Sequence, residues 1–194
     1  MDELGVGVVV DLRTAYEIDR EGPGPLVADG RVEIRHRDLY FDQPERAKVV
    51  VGDSEQDQFV HHYMRYLDQR PDSVLAALED VATGPGAVLV HCAAGKDRTG
   101  VIVALALSAV GVERDAVVAD YVATAERITP LMARLRASET YRADLEPYTD
   151  DSRAPRAEVM ERVLAHLDER YGSPAGWLAE QGFDPAPLRA RLLS

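Results

Sequence analysis

The alternation of apolar and polar positions predicts three strands separated by helices. Residues 5–12 (GVGVVVDL) and 87–91 (AVLVH) are short apolar runs typical of buried strands, and the less apolar residues 32–39 indicate an edge strand. Helical patterns cover residues 56–69, 71–82, 99–111, 112–136 and 155–171, and a short helical pair follows them. The polar stretch 137–156 indicates a mobile loop. This order predicts an α/β fold, with a largely parallel central sheet flanked by helices.

Length and composition favour a single domain, residues 1–194, because 46% hydrophobic and 29% charged residues are ordinary values for a globular protein. The net charge of −12 argues against general binding to nucleic acid or to anionic membranes, so any anion must bind at a small local site. No apolar run reaches the roughly 18 residues of a membrane span. The one cysteine cannot form an intramolecular disulfide, which suits the cytoplasm. The oligomeric state stays open.

The stretch HCAAGKDRTG, residues 91–100, contains that cysteine and carries the candidate chemistry. It joins a predicted strand to a predicted helix through a loop with Gly95. Loop amides and the helix N-terminus attract an anion, and the guanidinium of Arg98 can donate two hydrogen bonds to a tetrahedral oxyanion. The same positive field favours the thiolate of Cys92. We therefore expect Cys92 to be a nucleophile aimed at the phosphorus of a group that Arg98 holds.

The neighbouring residues of this stretch have supporting roles in the same interpretation. Thr99 can donate a hydrogen bond to the sulfur, and His91 can orient the loop through its ring nitrogens. The substrate phosphate would be bound by the backbone of the loop, and Lys96 would add positive potential; the positions concerned are Ala93, Ala94, Gly95 and Lys96. Two alternatives remain: a buried structural cysteine beside solvated charges, and a phosphate-binding regulatory module without turnover.

The spacing His-Cys, five residues, then Arg-Thr-Gly resembles the signature of the cysteine-dependent protein tyrosine phosphatases. The sequence Gly-Lys-Asp-Arg-Thr within it is similar to the subgroup typified by mycobacterial protein tyrosine phosphatase B. Similar features extend over nearly the whole chain, from LGVGVVVDLR and GPGPL near the start to RAEVMERVLAHLDERYGSPAGWLAEQGFD and LRARLL near the end. The resemblance implies a tyrosine-phosphatase-like fold and activity on phosphotyrosine, in some members also on phosphoserine, phosphothreonine or phosphoinositides.

Two departures from the family pattern bear on these expectations. Members usually carry a segment before the first strand that this sequence lacks, so either the true start lies upstream of Met1 or this is a shortened member. Without that segment, we expect an edge or apolar surface beside the first strand to be uncovered. Phosphoinositide phosphatases of the related Cys-Lys-x-Gly-Lys-x-Arg type place a lysine where this chain has Ala93. That difference weakens the lipid interpretation.

A phosphatase of this kind also needs an acid to protonate the leaving oxygen. Asp38, Asp42, Asp53 and Asp57 lie upstream of the cysteine, but none has a Trp-Pro-Asp setting. The resemblance instead indicates Asp97, with Asp42 as runner-up. The pair Asp120-Tyr121 matches the family and is expected mainly to pack and to hydrogen-bond. Four other tyrosines, Tyr63, Tyr66, Tyr141 and Tyr148, could line an entrance to the site, but aromatic residues at such spacing usually pack, and packing is their expected role.

The sequence therefore predicts a phosphomonoester hydrolase that works through a cysteinyl-phosphate, with phosphotyrosine on protein as the leading substrate class. No metal and no cofactor is expected, and adjacent His61 and His62 have no further His or Cys cluster to support a metal. A phosphatase acting on a sugar or nucleotide with the same loop is the alternative enzyme. Pocket depth and the polar stretch 137–156 would decide between these substrates.

Overall fold

The central sheet of the computed structural model, which describes residues 4–22, 24, 30, 32–40 and 54–193, has three strands. They are β1 (Val6–Asp11), β2 (Glu33–His36) and β3 (Ala87–His91). Both neighbours pair with β1 in parallel, in the order β2-β1-β3. The predicted α/β fold with a parallel sheet is confirmed, and so is the edge position of the second strand. Because β1 lies in the middle, the open edges of the described sheet belong to β2 and β3 and not to the first strand.

The register brings the carboxyl ends of the three strands together. Asp11 is aligned with His36 on one side and with His91 on the other. In a parallel sheet the loops that follow the strands meet at this edge. The residues after β3, which include the predicted signature, therefore lie beside those after β1 and β2.

Helices surround this sheet. Their bounds are α1 (Ala15–Glu21), α2 (Glu55–Gln69), α3 (Pro71–Thr83), α4 (Asp97–Ala109), α5 (Arg114–Ala123), α6 (Ile128–Ala137), α7 (Arg142–Leu145), α8 (Ala157–Tyr171), α9 (Pro174–Glu180) and α10 (Ala186–Leu192). A 3₁₀ helix at Thr124–Arg127 separates α5 from α6, so the predicted helix 112–136 is divided in two. The predicted loop 137–156 contains α7. Among the described residues, no helix has both the length and the apolar content that a membrane crossing requires.

Helix α4 runs through the core. Val101, Ile102 and Leu105 are at most 2% exposed, as expected for an apolar helix packed on several sides. Gly100 in its first turn has a specific packing role, because a Cβ built there would lie 2.8 Å from the ring of Tyr121 on α5. The glycine thus lets α5 approach closely and brings Tyr121 next to the start of α4.

Ion pairs to buried carboxylates fix the ends of the strands. Asp11 at the end of β1 accepts a hydrogen bond from Arg13 at 2.7 Å. Burial alone would raise the pKa of Asp11, but the hydrogen bonds from Arg13 outweigh it and lower that pKa. On the other flank, Arg35 and Arg37 both contact Asp80 of α3, at 2.9 and 2.7 Å. These pairs hold the carboxyl edge of the sheet in place.

Candidate active site

The signature loop, residues 92–98, follows β3 at the carboxyl edge of the sheet and ends in the first turn of α4. Cys92, its first residue, is only 7% exposed. Gly95 has a φ of +68°, in the left-handed region that residues with a Cβ rarely adopt. Glycine at this position therefore permits the turn of the loop between Cys92 and α4.

The backbone of the signature loop offers hydrogen-bond donors. In the described part of the chain, the N–H groups of residues 93–98 donate to no other backbone carbonyl. The sequence predicts that Ala93, Ala94 and Gly95 bind phosphate through these groups. The three residues lie between β3 and α4. Unpartnered amides at a helix N-terminus attract anions, because the helix dipole adds partial positive charge at that end. The loop is thus able to hold a phosphate-sized anion.

Arg98 is fixed by a carboxylate that sequence reasoning missed. Its Nη1 and Nη2 donate to the two oxygens of Glu17 at 2.6 and 2.8 Å, and Nη1 also donates to the carbonyl of Leu12 at 3.2 Å. A guanidinium has five N–H donors, so these bonds leave the Nε–H and one N–H of Nη2. The remaining two donors share one edge of the group, which matches the bidentate geometry of a phosphate.

Glu17 belongs to α1, which begins with a capping box. Thr14 accepts a hydrogen bond from the Glu17 backbone at 3.1 Å, and the Glu17 carboxylate accepts one from the Thr14 backbone at 2.8 Å. The same carboxylate therefore caps a helix and holds Arg98. Burial would raise the pKa of Glu17, but Arg98 outweighs it and lowers that pKa. Burial would likewise lower the pKa of Arg98, and Glu17 raises it well above its ordinary value.

Lys96 is buried and is not a surface lysine. It is 2% exposed, and its Nζ donates to the carbonyl of Arg153 at 2.7 Å. The ammonium lies 3.2 Å from the Asp97 carboxylate and 4.5 Å from the ring centre of Phe59. Burial lowers the pKa of Lys96 although Asp97 opposes this, and both Lys96 and Arg98 interact electrostatically with Cys92. Two basic side chains of the loop thus contribute positive potential at Cys92.

Asp97 is held by groups from two other helices. Its Oδ1 accepts a hydrogen bond from the hydroxyl of Tyr63 on α2 at 2.6 Å, and that hydroxyl is 2.8 Å from the hydroxyl of Tyr121 on α5. Burial would raise the pKa of Asp97, but Lys96 and the Tyr63 hydrogen bond outweigh it and lower that pKa. The expected hydrogen-bonding role of Tyr121 is present, and its partner is Tyr63.

Thr99 and His91 lie where the sequence placed them, on either side of the loop. The hydroxyl of Thr99 is the one buried side-chain oxygen of the described residues without a hydrogen-bond partner. Such a group is uncommon in folded proteins and is often functional. The ring of His91 contacts the Cys92 carbonyl, at 3.1 Å from Nδ1, and its Nε2 is 3.7 Å from Asp11. His91 can therefore orient the start of the loop.

The segment 137–156 packs over the loop. Ala93 and Ala94 contact a small apolar cluster, separate from the main core, whose buried members are Ile128, Met132, Leu135 and Leu145. Tyr141 belongs to the same layer, and its hydroxyl donates to Glu17 at 3.1 Å. Arg136 is bonded to Asp150 at 2.5 Å. The stretch predicted to be a mobile loop thus makes specific contacts with the site.

The upstream aspartates have different surroundings. Asp42 and Asp53 lie outside the described residues. Asp57 caps α2, and its bonds to Ser54 and then to Arg162 lower its pKa to about 2, which makes it a poor proton donor.

Asp38 follows β2 at the carboxyl edge of the sheet, and partial burial raises its pKa. Its Oδ1 accepts a hydrogen bond from the backbone of Tyr40, whose ring centre lies 5.0 Å from the Arg98 guanidinium carbon.

His62 of α2 lies among aromatic side chains beside the loop. Burial lowers the pKa of His62 to about 4, and its Nε2 is hydrogen-bonded to the Tyr40 hydroxyl at 2.8 Å. In the ranges that the structure describes, no group of three or more His, Cys, Asp or Glu side chains is arranged to hold a metal ion. The neutral His62 therefore belongs to the aromatic packing beside the loop.

Phosphatases that use a cysteine nucleophile need a thiol beside a bound phosphate, and the position of Cys92 at the start of an anion-binding loop fits that class. The comparison with protein families agrees with this class. The chain belongs to the tyrosine phosphatase family, whose model matches residues 1–194.

Two relatives show how far the similarity extends. The chain is 29% identical to the triple specificity protein phosphatase PtpB of Mycobacterium tuberculosis, over 95% of this chain and 80% of that protein. It is 30% identical to a tyrosine-protein phosphatase of Nostoc commune, over 92% of this chain and 62% of that protein. The similarity thus covers almost the whole chain, and this chain is a phosphatase.

Proposed function

We propose that this protein is a protein-tyrosine phosphatase in which Cys92 is the nucleophile. The observation that carries the proposal is the pairing of Arg98 with Glu17, since it leaves two parallel guanidinium donors beside a loop of unpartnered amides. This arrangement supports binding of a tetrahedral dianion next to the thiol. The lone cysteine and the absence of an intramolecular disulfide support a cytoplasmic location.

The first chemical step transfers the phosphoryl group to sulfur. Loop amides and Arg98 hold the phosphate oxygens, and Lys96 adds positive charge nearby. The Cys92 thiolate attacks phosphorus, an S–P bond forms, and the P–O bond to the substrate breaks. The leaving oxygen takes a proton from the acid and departs as an alcohol or phenol.

Water completes the cycle. It attacks the phosphorus of the cysteinyl-phosphate, gives a proton to the carboxylate formed in the first step, and releases inorganic phosphate. The S–P bond breaks and the thiolate is restored, with the free hydroxyl of Thr99 available to donate a hydrogen bond to the sulfur. His91 orients the loop through the Cys92 carbonyl.

We propose Asp97 as the acid. Its lowered pKa means that it is ionised in the resting enzyme. A bound phosphate dianion raises the pKa of a nearby carboxylate by like-charge repulsion, so Asp97 takes up a proton when substrate binds. Asp42 remains the runner-up of the sequence analysis, and the raised pKa of Asp38 beside Tyr40 makes it a further alternative.

The surroundings of the loop favour an aryl phosphate. Tyr40 lies against Arg98, Phe59 lies against Lys96, and the apolar cluster of α6 and α7 touches Ala93 and Ala94. Aromatic and apolar side chains beside the phosphate site suit the ring of phosphotyrosine better than a polar sugar. The name of the mycobacterial relative includes triple specificity, so phosphoserine and phosphothreonine peptides belong in the substrate test.

The test is a panel of phosphopeptides against sugar phosphates and nucleotides, run with and without a chelator. We expect the highest kcat/KM on phosphotyrosine peptides, inhibition by vanadate and no effect of the chelator. Cys92→Ser should abolish turnover and keep phosphate binding, since the cradle is backbone and Arg98. Preference for a sugar or nucleotide would establish the metabolite phosphatase instead, and binding without turnover by the unaltered protein would establish the regulatory module.

A further inference from the structure

The hydroxyl of Tyr63 is placed to control the orientation of Asp97. Tyr63 is fully buried on α2, and each phenol carries one hydroxyl proton. Because the Tyr63 proton is donated to Asp97, the Tyr121 hydroxyl must donate to the Tyr63 oxygen. Burial raises the pKa of Tyr63 well above its ordinary value, so it stays a donor at every working pH. The two tyrosines form a short directed chain that ends on Asp97.

Both direct contacts of the Asp97 carboxylate are made to the same oxygen. Tyr63 donates to Oδ1 at 2.6 Å, and the Lys96 ammonium is 3.2 Å from that atom. No residue in the described ranges donates a hydrogen bond to Oδ2, and the side chain remains 24% exposed. Among the described residues, one oxygen is thus anchored and the other has no hydrogen-bond donor.

The charged and titratable groups that interact with Asp97 come from several elements. They are Lys96 of the loop, His62, Tyr63 and Tyr66 of α2, Tyr121 of α5, Tyr40 after β2, and Arg153 before α8. His62 is neutral above about pH 4. Within this set, Tyr63 is the neutral group that bonds directly to the carboxylate, so its removal changes the hydrogen bonding of Asp97 without changing the charge of the site.

We propose that Tyr63, supported by Tyr121, is a positioning residue that anchors Oδ1 of Asp97 and thereby keeps Oδ2 as the oxygen that carries the transferred proton. This rests on the proposed function of Asp97 as the acid. The hydrogen bond also stabilises the ionised form of Asp97. Loss of the Tyr63 hydroxyl should therefore raise the pKa of Asp97, so that Asp97 stays protonated to a higher pH. The proton can then lie on either carboxyl oxygen.

The test compares Tyr63→Phe with the unaltered enzyme in a kcat-against-pH profile, using aryl phosphates with good and poor leaving groups. The basic limb should move up by about one pH unit, the size expected for a hydrogen bond to a charged group. On the plateau, the poor leaving group should lose about tenfold more rate than the good one. Tyr121→Phe should shift the limb in the same direction by less.

Tyr66→Phe is the matched control. Tyr66 lies one turn further along α2, is equally buried, and bonds through its hydroxyl to Tyr40 at 3.0 Å and not to Asp97. It should leave the limb and the leaving-group dependence unchanged. An equal shift in Tyr66→Phe would show that loss of any buried hydroxyl on α2 is enough and would overturn the inference.

The positioning role of Tyr63 and the acid role of Asp97 can be tested independently. The pKa of Asp97 can be followed by carbon-13 NMR of its carboxyl group in Cys92→Ser, with no turnover required. Tyr63→Phe should raise that pKa, and an unchanged value would overturn the positioning role even if Asp97→Asn shows the behaviour of a lost acid. If Asp97→Asn instead slows all substrates equally, the acid assignment fails while the NMR result still decides whether Tyr63 holds the carboxylate.

Discussion

Arg98 and Asp97 are neighbours in the chain, yet different chemistry holds them. Arg98 is held by α1 through an ion pair in which both partners are less than 10% exposed. Asp97 is held by hydroxyl groups of α2 and α5 and by a single ammonium. Arg98 is thus paired with a buried opposite charge, whereas Asp97, the acid of the proposed mechanism, is bonded to a neutral hydroxyl as well as to an ammonium.

The sharpest test of this comparison is Asp97→Asn, assayed with a series of leaving groups. Loss of an acid should slow a poor leaving group by about 100-fold to 10,000-fold and remove the basic limb of the pH profile, while a good leaving group is nearly unaffected. Asp38→Asn is the control at the same edge of the sheet and should show no such gap. Equal slowing of every substrate by Asp97→Asn would make Asp97 an orienting group only.

Arg98→Lys tests the other side of the comparison, the ion pair between Arg98 and Glu17. The point charge of lysine cannot replace two parallel donors or reach both oxygens of Glu17. We expect kcat/KM to fall at least about 100-fold, on the scale of losing one preorganised oxyanion donor. Arg136→Lys, at an ion pair with Asp150 in the segment over the loop, should have little effect. A loss of less than about tenfold in Arg98→Lys would show that Lys96 or another cation holds the phosphate.

Glu17→Gln weakens the same ion pair without changing the shape of the side chain at position 17. Removing the charge from the partner should lower kcat/KM by about tenfold, because a charge-assisted hydrogen bond becomes a neutral one. Glu21→Gln, on the same helix but exposed, is the control. An unchanged kcat/KM in Glu17→Gln would show that the loop alone positions Arg98.

The stability of Glu17→Gln should also depend on pH in a defined direction. A carboxylate with a lowered folded-state pKa stabilises the fold above its unfolded pKa of about 4.3, and this stabilisation is lost as pH falls through the lower folded value. The difference in Tm between the unaltered protein and Glu17→Gln should therefore be largest near neutral pH and shrink below about pH 4. A constant difference would mean that Glu17 is not ionised in the fold.

The sequence predicted the parts of the site that depend on local pattern. Strand β3 has the predicted bounds, and α4 begins two residues before its predicted start, since apolar periodicity and the glycine-containing loop are local signals. Glu17 and Tyr63 were missed because their bonds to the loop span 81 and 34 residues. The spacing of Thr14 and Glu17 is readable as a capping box, but nothing in it indicates a second partner.

Tyr63 could not be recognised for a related reason. Sequence periodicity places it on the buried face of α2 and so predicts packing, which is correct for its ring. Its hydroxyl meets Asp97 at the start of α4 and the Tyr121 hydroxyl of α5, and α5 approaches α4 closely at Gly100. This hydrogen-bonded arrangement exists only when α2, α4 and α5 are packed together. No local pattern in α2 therefore indicates the hydrogen bond from Tyr63 to Asp97.

The lone cysteine has a practical consequence for work with this enzyme. Because Cys92 is the one thiol of the chain, an alkylating reagent can form only one cysteine adduct per molecule. Mass measurement of that adduct counts the reactive sites in a preparation without correction for other thiols. An anionic reagent such as iodoacetate should enter through the same amides and arginine as a phosphate, and inorganic phosphate should slow its reaction in proportion to occupancy of the loop.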